Sequence, residues 1–143
     1  MTSVHVVVGV SLLVANLVAG VWGGVAWLQR RPTVGFWYAL RVAQVLVVIQ
    51  AMLGLILVWL GNEADDLHYV YGALPLLVSF LAEGARAGAA QQEIGDLEFE
   101  SLDAAQQKEV ALAIVRREMG MMAVSCLVIF FLALRAAGTT PLI

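Results

Sequence analysis

From Val4 to Leu28 the chain carries no formal charge, and this run constrains the fold more than any other feature. A helix needs about 20 apolar residues to cross a hydrocarbon layer about 30 Å thick. Inside such a layer each backbone N–H and C=O must be satisfied within the segment itself, so a run of this kind is a helix. Three more runs follow. The second extends from Phe36 to Leu60, with Arg41 near its start. The third opens at Leu67, stays apolar to Ala82 and continues through Glu83 and Arg86 to Ala90. The fourth extends from about Met119 to Ala137.

Composition agrees with a lipid-facing chain. Hydrophobic residues make up 62% of the sequence and charged residues 13%, against roughly 25% charged in soluble domains. The eleven acidic and eight basic residues fall almost wholly between the apolar runs. The sequence therefore predicts one all-α domain over residues 1–143, an integral membrane four-helix up-down-up-down bundle. Its helices are expected at about 4–28, 36–60, 67–90 and 102–137. The first is read as a retained helix: no basic residue precedes it, and it is too long for a signal-peptide core.

The connections set the orientation. Gln29 to Gly35 is a short turn holding Arg30, Arg31 and Pro32, whereas Gly61 to Asp66 holds Glu63, Asp65 and Asp66 and no basic residue. The long polar segment Gln91 to Glu118 adds Lys108, Arg116 and Arg117. Lys and Arg stay preferentially on the cytoplasmic side. Both termini are accordingly expected outside, in a multi-pass protein of the plasma (inner) membrane. Segment 91–118 is expected in the cytoplasm, with the fourth helix extended into it. Within that segment Ser101 is a candidate N-cap and Asp103 is placed to favour the helix dipole.

Polar groups at membrane depth are costly, which makes them the first candidates for function. They are His5, Arg41, Gln44, Gln50, His68 and Glu83. His5 opens the first helix and His68 the third, so both are expected at the same outer depth. In a bundle of this topology the first and third helices are diagonal neighbours across the core. Two imidazoles facing each other there have the donor atoms to hold an iron from both sides. Gly9 follows His5 by four residues and Gly72 follows His68 by four, giving each a small patch on its own face one turn deeper. Gly54 on the second helix falls at a similar depth. The alternative is plainer: interfacial histidines are ordinary polar residues, and glycine is common where membrane helices approach closely.

The remaining candidates have structural readings. Arg41 and Glu83 are an expected salt bridge on adjacent helices, and Gln44 and Gln50, the latter placed near the midplane, are expected to bond inside the bundle. Gly20 and Gly24 form a small-x-x-x-small packing pair. Pro75 is expected to bend the third helix. Trp27, Trp37 and Tyr38 mark an inner aromatic belt, with Trp59, Tyr69 and Tyr71 at the outer one. Met121, Met122 and the lone Cys126 are read as packing residues, and one cysteine excludes an intramolecular disulfide. Hydrolase triads, phosphate loops and basic patches for nucleic acid do not occur in the sequence.

The stretch Gln50-Ala-Met-Leu-Gly54, followed after a short outer turn by Leu67-His68, resembles one half of the haem A synthase family. In that family a Gln-x-x-Leu-Gly helix precedes a helix opening with a haem-ligating histidine. The resemblance implies a four-helix half-unit with paired ligands from its first and third helices, hence haem b held by His5 and His68. It spans the first three helices. Val6 stands where the family's ligand is commonly followed by arginine, and the acidic residues of synthase catalysis have no counterpart. Haem binding, not haem hydroxylation, is what carries over. On this reading Gly9, Gly54 and Gly72 give the ring room, and Arg135, at the outer end, pairs with a propionate. An outer-leaflet quinol or a partner redox protein would exchange electrons with it, and a homo-oligomer is compatible. Two other classes stand beside it: a cofactor-free scaffold or regulator acting through residues 91–118, and a small channel or transporter built on Gln44 and Gln50.

Overall fold

The computed structural model of the chain describes residues 2–95 and 98–139; Asp96 and Leu97 of the polar segment lie outside the described residues. The architecture is all-α. The four long helices are α1 (Thr2–Leu28), α2 (Val34–Trp59), α3 (Asp66–Ile94) and α4 (Ala104–Ala137), with a single 3-10 turn at Phe99–Ser101 before α4.

The ends of these helices follow from local chemistry. α1 closes with Arg30 N–H on the Trp27 carbonyl at 3.1 Å and Arg31 N–H on the Ala26 carbonyl at 2.9 Å. That paired return requires a left-handed residue between helix and turn, and Arg30 takes it at φ 56°. α2 ends the same way, with Gly61 on the Val58 carbonyl and Asn62 on the Leu57 carbonyl. Here glycine occupies the left-handed position, at φ 79°. α3 starts on Asp65, whose side chain accepts from Leu67 N–H at 2.8 Å. For α4 the cap is Asp103 and not Ser101. Asp103 accepts from Gln106 N–H at 2.8 Å while the Gln106 side chain accepts from Asp103 N–H at 3.2 Å, a reciprocal capping box. Ser101 instead sits in the 3-10 turn and donates to the Glu98 carbonyl.

α1 packs closely on α2 and α4, and α4 closely on α3, while the α2–α3 seam is thin. Small residues set the close approaches. A methyl at Gly20 would lie 2.7 Å from Leu127 of α4, and one at Gly23 would lie 2.7 Å from Phe36 Cδ2 and 3.0 Å from Ala123. Beside Gly24 nothing lies within 4 Å. The packing pair is therefore Gly20 with Gly23, both buried, and not Gly20 with Gly24. Next to it sits the larger core cluster of Ala19, Phe36, Leu40, Met119, Met122 and Cys126. A second, smaller one joins Leu12, Val47 and Ile129.

The outer faces are apolar. Leu55, Phe80 and Phe131 are 65%, 68% and 64% exposed, and a valine row along α1 is exposed with them. Apolar surface on this scale is a cost in water and none in lipid. Three helices, α1, α2 and α4, are long and apolar enough to cross a membrane. α3, expected as a fourth span, is not among them. His68, Tyr69, Tyr71, Pro75 and Ser79 dilute its first turns, and Glu83 and Arg86 cut its apolar run short.

Candidate functional site

The start of α1, the latter part of α2, the start of α3 and the end of α4 converge at one end of the bundle. There the His5 and His68 rings lie 6.1 Å apart between centroids, tilted by 53°. Two imidazoles sharing one metal from opposite sides, each with a bond of about 2 Å, have centroids roughly 6 Å apart. The observed spacing fits that arrangement.

Each ring is held by one nitrogen. His68 Nδ1 is 3.1 Å from the Ala136 carbonyl, to which it can only donate. This fixes the tautomer and leaves Nε2 as the lone-pair nitrogen. Metal-bound histidines commonly carry such an N–H to carbonyl bond. Thr139 Oγ1 stands 3.5 Å from the same Nδ1. His5 Nε2 lies 3.0 Å from Gln50 Nε2. His5 Nδ1 and Gln50 Oε1 are buried with no hydrogen-bond partner. Turning the Gln50 amide over would let its oxygen accept from an Nε2–H and leave the His5 Nδ1 lone pair free. In either setting one buried nitrogen of His5 is unsatisfied. Buried polar atoms are rarely left so.

The glycines divide. A methyl at Gly9 would meet Gln50 Nε2 at 3.0 Å, so this position makes way for the amide that holds His5. A methyl at Gly54 would lie 3.6 Å from His5 Cε1, and beside the exposed Gly72 nothing lies within 4 Å. Arg135, in the last turn of α4, stacks on Tyr71 at 5.5 Å from the ring centroid. It neighbours Ala136, whose carbonyl holds His68.

At the opposite end Arg41, Gln44 and Glu83 form one network. Arg41 Nη1 donates to Glu83 Oε1 and to Gln44 Oε1, each at 2.6 Å, and Gln44 Nε2 donates to Glu83 Oε1 at 2.7 Å. Arg86 donates to the other Glu83 oxygen at 2.9 Å. Its guanidinium also stands 3.6 Å from Glu118 and lies 5.8 Å from the Trp37 ring centroid. Glu83 is thus saturated with donors and ties α2 to α3 where their packing is thin. Gln44 and Gln50, about 9 Å apart along α2, turn to different partners, Glu83 and His5, and do not form a polar file. Gln50 sits against His5.

Sequence reasoning passed over Asn16, the most buried polar residue. Its side chain donates to the Leu12 carbonyl one turn back at 3.0 Å. It also passed over Trp22, whose ring lies over Gly35, and over Thr139. Asn16 is a neutral amide like Gln44 and Gln50, and it stands inside the charge-free run from Val4 to Leu28.

Among the described residues no group of three or more His, Cys, Asp or Glu side chains is placed to hold a metal ion. Two histidines alone are too few ligands for a bare zinc ion, whereas a porphyrin brings four of its own. Comparison with protein-family models, curated proteins and solved structures finds no match for this chain.

Proposed function

We propose that this chain binds one b-type haem with His5 and His68 as axial ligands. The single observation that carries the reading is the facing pair of imidazoles at 6.1 Å, contributed by α1 and α3. The anchoring of His68 by a backbone carbonyl and the unsatisfied nitrogen of His5 support it further. Bound there, the haem would supply a one-electron iron couple. The residues around it have separate tasks. Gln50 and the Ala136 carbonyl orient the rings, Gly54 and Gly72 leave space beside them, and Arg135, next to Ala136, pairs with a propionate.

The setting is a multi-pass membrane protein in which all four helices cross, the basic ends of α1 and α4 lie inside, and both termini lie outside. α3 crosses because Glu83 and Arg86 spend their charges on Arg41 and Glu118 and not on lipid. A single haem near the outer face reaches only one side of the membrane. The chain therefore serves electron transfer as an accessory subunit, exchanging with a quinol in the outer leaflet or with a partner redox protein.

The test is a haemin titration of the purified protein in detergent. Saturation is expected at one haem per chain with a six-coordinate spectrum. His5→Ala and His68→Ala should each give a five-coordinate species with weaker binding, and the double variant none. Equal, unsaturable uptake by all four proteins would mean partition into detergent and would remove the reading in favour of a cofactor-free scaffold.

A further inference from the structure

The Ala136 carbonyl that holds His68 is shared. It accepts from His68 Nδ1 at 3.1 Å, from the Thr139 hydroxyl at 2.6 Å and from the Thr139 N–H at 3.2 Å. The hydroxyl also stands 3.5 Å from Nδ1, so the two side chains meet at one oxygen. Ala136 lies in the last turn of α4, where carbonyls have no intrahelical donor and form the negative end of the helix dipole. Thr139, three residues on, folds its hydroxyl back onto that carbonyl, and His68 reaches it from the first turn of α3.

The carbonyl oxygen has two lone pairs to divide among its donors. A strong bond from the Thr139 hydroxyl therefore weakens the one from His68. For a histidine that ligates through its other nitrogen, an N–H bond to an acceptor raises ligand basicity, and such outer bonds are among the levers that set a haem's potential. His5 is held differently, by the side-chain amide of Gln50. We propose that Thr139 is a positioning residue that weakens the donor bond of His68 and so raises the reduction potential of a haem held by His5 and His68, a role that rests on the haem reading above. Thr139 acts through the Ala136 carbonyl and needs no contact with the ring.

The test compares Thr139→Val, which keeps the branched shape and loses the hydroxyl, with Thr139→Ser, which keeps the hydroxyl. A redox titration of the haemin-loaded chain in detergent, followed by absorption, reads the midpoint potential. A hydrogen bond of ordinary net strength is worth roughly fivefold in an equilibrium. Thr139→Val should therefore favour the ferric over the ferrous form by up to about fivefold, a fall of about 40 mV at about 59 mV per tenfold for one electron. Thr139→Ser should keep the parent potential, and both variants the parent helicity.

A second readout needs no haem. Imidazole nitrogen NMR of the haem-free chain should show His68 protonated at Nδ1, and Thr139→Val should move that proton downfield as its bond to Ala136 strengthens. The sequence has two histidines, so His5→Ala assigns the signals. A parent-like potential in Thr139→Val would overturn the proposal, as would an equal shift in Thr139→Ser, which would mark a packing effect. So would an Nδ1 proton that Thr139→Val leaves in place. If neither parent nor variants take up haem, the haem reading falls, and the NMR comparison still decides whether Thr139 weakens the His68 bond. Haem uptake with potential and proton both unmoved would overturn this inference alone.

Discussion

Gly23 and Gly24 are adjacent in sequence and should respond to the same substitution in opposite ways. A methyl at Gly23 falls 2.7 Å from Phe36 Cδ2 and 3.0 Å from Ala123, whereas one at Gly24 meets nothing within 4 Å. Phe36 is fully buried in the core cluster, where close packing opposes a turn of its ring. Relief therefore requires α1 to move off α2 and α4 by roughly an ångström, and overpacking of this kind costs about 1–3 kcal/mol. The locked ring puts Gly23→Ala near the upper figure. Alanine also returns about 1 kcal/mol over glycine in a helix interior. The net loss is about 2 kcal/mol, or roughly 30-fold in the unfolding equilibrium. Gly24→Ala keeps only the gain and should be neutral to slightly stabilising. Equilibrium unfolding in mixed micelles, followed by helical circular dichroism, separates the two. If Gly23→Ala unfolds at the same denaturant fraction as Gly24→Ala, the close approach of α1 to Phe36 is wrong.

Other expectations follow from particular residues. Arg30 holds the left-handed position that closes α1, so Arg30→Gly should stabilise the chain by about 1 kcal/mol in the same unfolding assay. Asp103→Ala removes the capping box of α4 at a cost of about 1 kcal/mol. Amide exchange should accelerate over the first turns after Ala104 and stay unchanged at Met122 and Cys126. Gln50→Leu takes away the amide that holds His5. It should weaken haem binding about 10- to 100-fold, as loss of a ligand's orienting partner does, while leaving the six-coordinate spectrum in place.

The long elements were legible because a membrane helix declares itself by uninterrupted apolar length. α1 and α2 begin and end within a few residues of their apolar runs, whereas α3 continues to Ile94 and α4 starts back at Ala104, well beyond theirs. The boundary of α4 was missed by two residues because Ser101 and Asp103 are both good caps, and only Gln106, three residues beyond Asp103, completes the reciprocal pair. The meeting of His5 with His68 was legible from topology alone, since equal depth on diagonal helices leaves little freedom. What holds the rings was not. A backbone carbonyl has no sequence signal, so Ala136 could not be singled out, and the contact of Gln50 with His5 depends on the rotational phase of two helices. The choice of Gly23 over Gly24 also escaped, because the phase of α1 depends on the shape of Phe36 and Leu127 across the interface. α3 was the hardest helix to judge. Its polar residues look like interruptions in the sequence and act as ties to α2 and α4 in the structure, through Glu83, Arg86 and His68.

These ties also define the division of labour along the bundle. One end is closed by large apolar side chains and a saturated ion network. The other is held by two imidazoles, one amide and one carbonyl, with an unsatisfied nitrogen among them. α1 and α3, which carry the two histidines, both pack closely against α4.

The most direct measurement is the absorption spectrum of the chain purified from haem-replete cells, first as isolated and then reduced with dithionite. A Soret band that sharpens on reduction, with resolved α and β bands that His68→Ala abolishes, is the expected result. A spectrum without visible bands in both states, from protein that is folded and was expressed with added haem precursor, would contradict the central claim. It would leave the His5–His68 pair as a polar plug at the end of a membrane bundle.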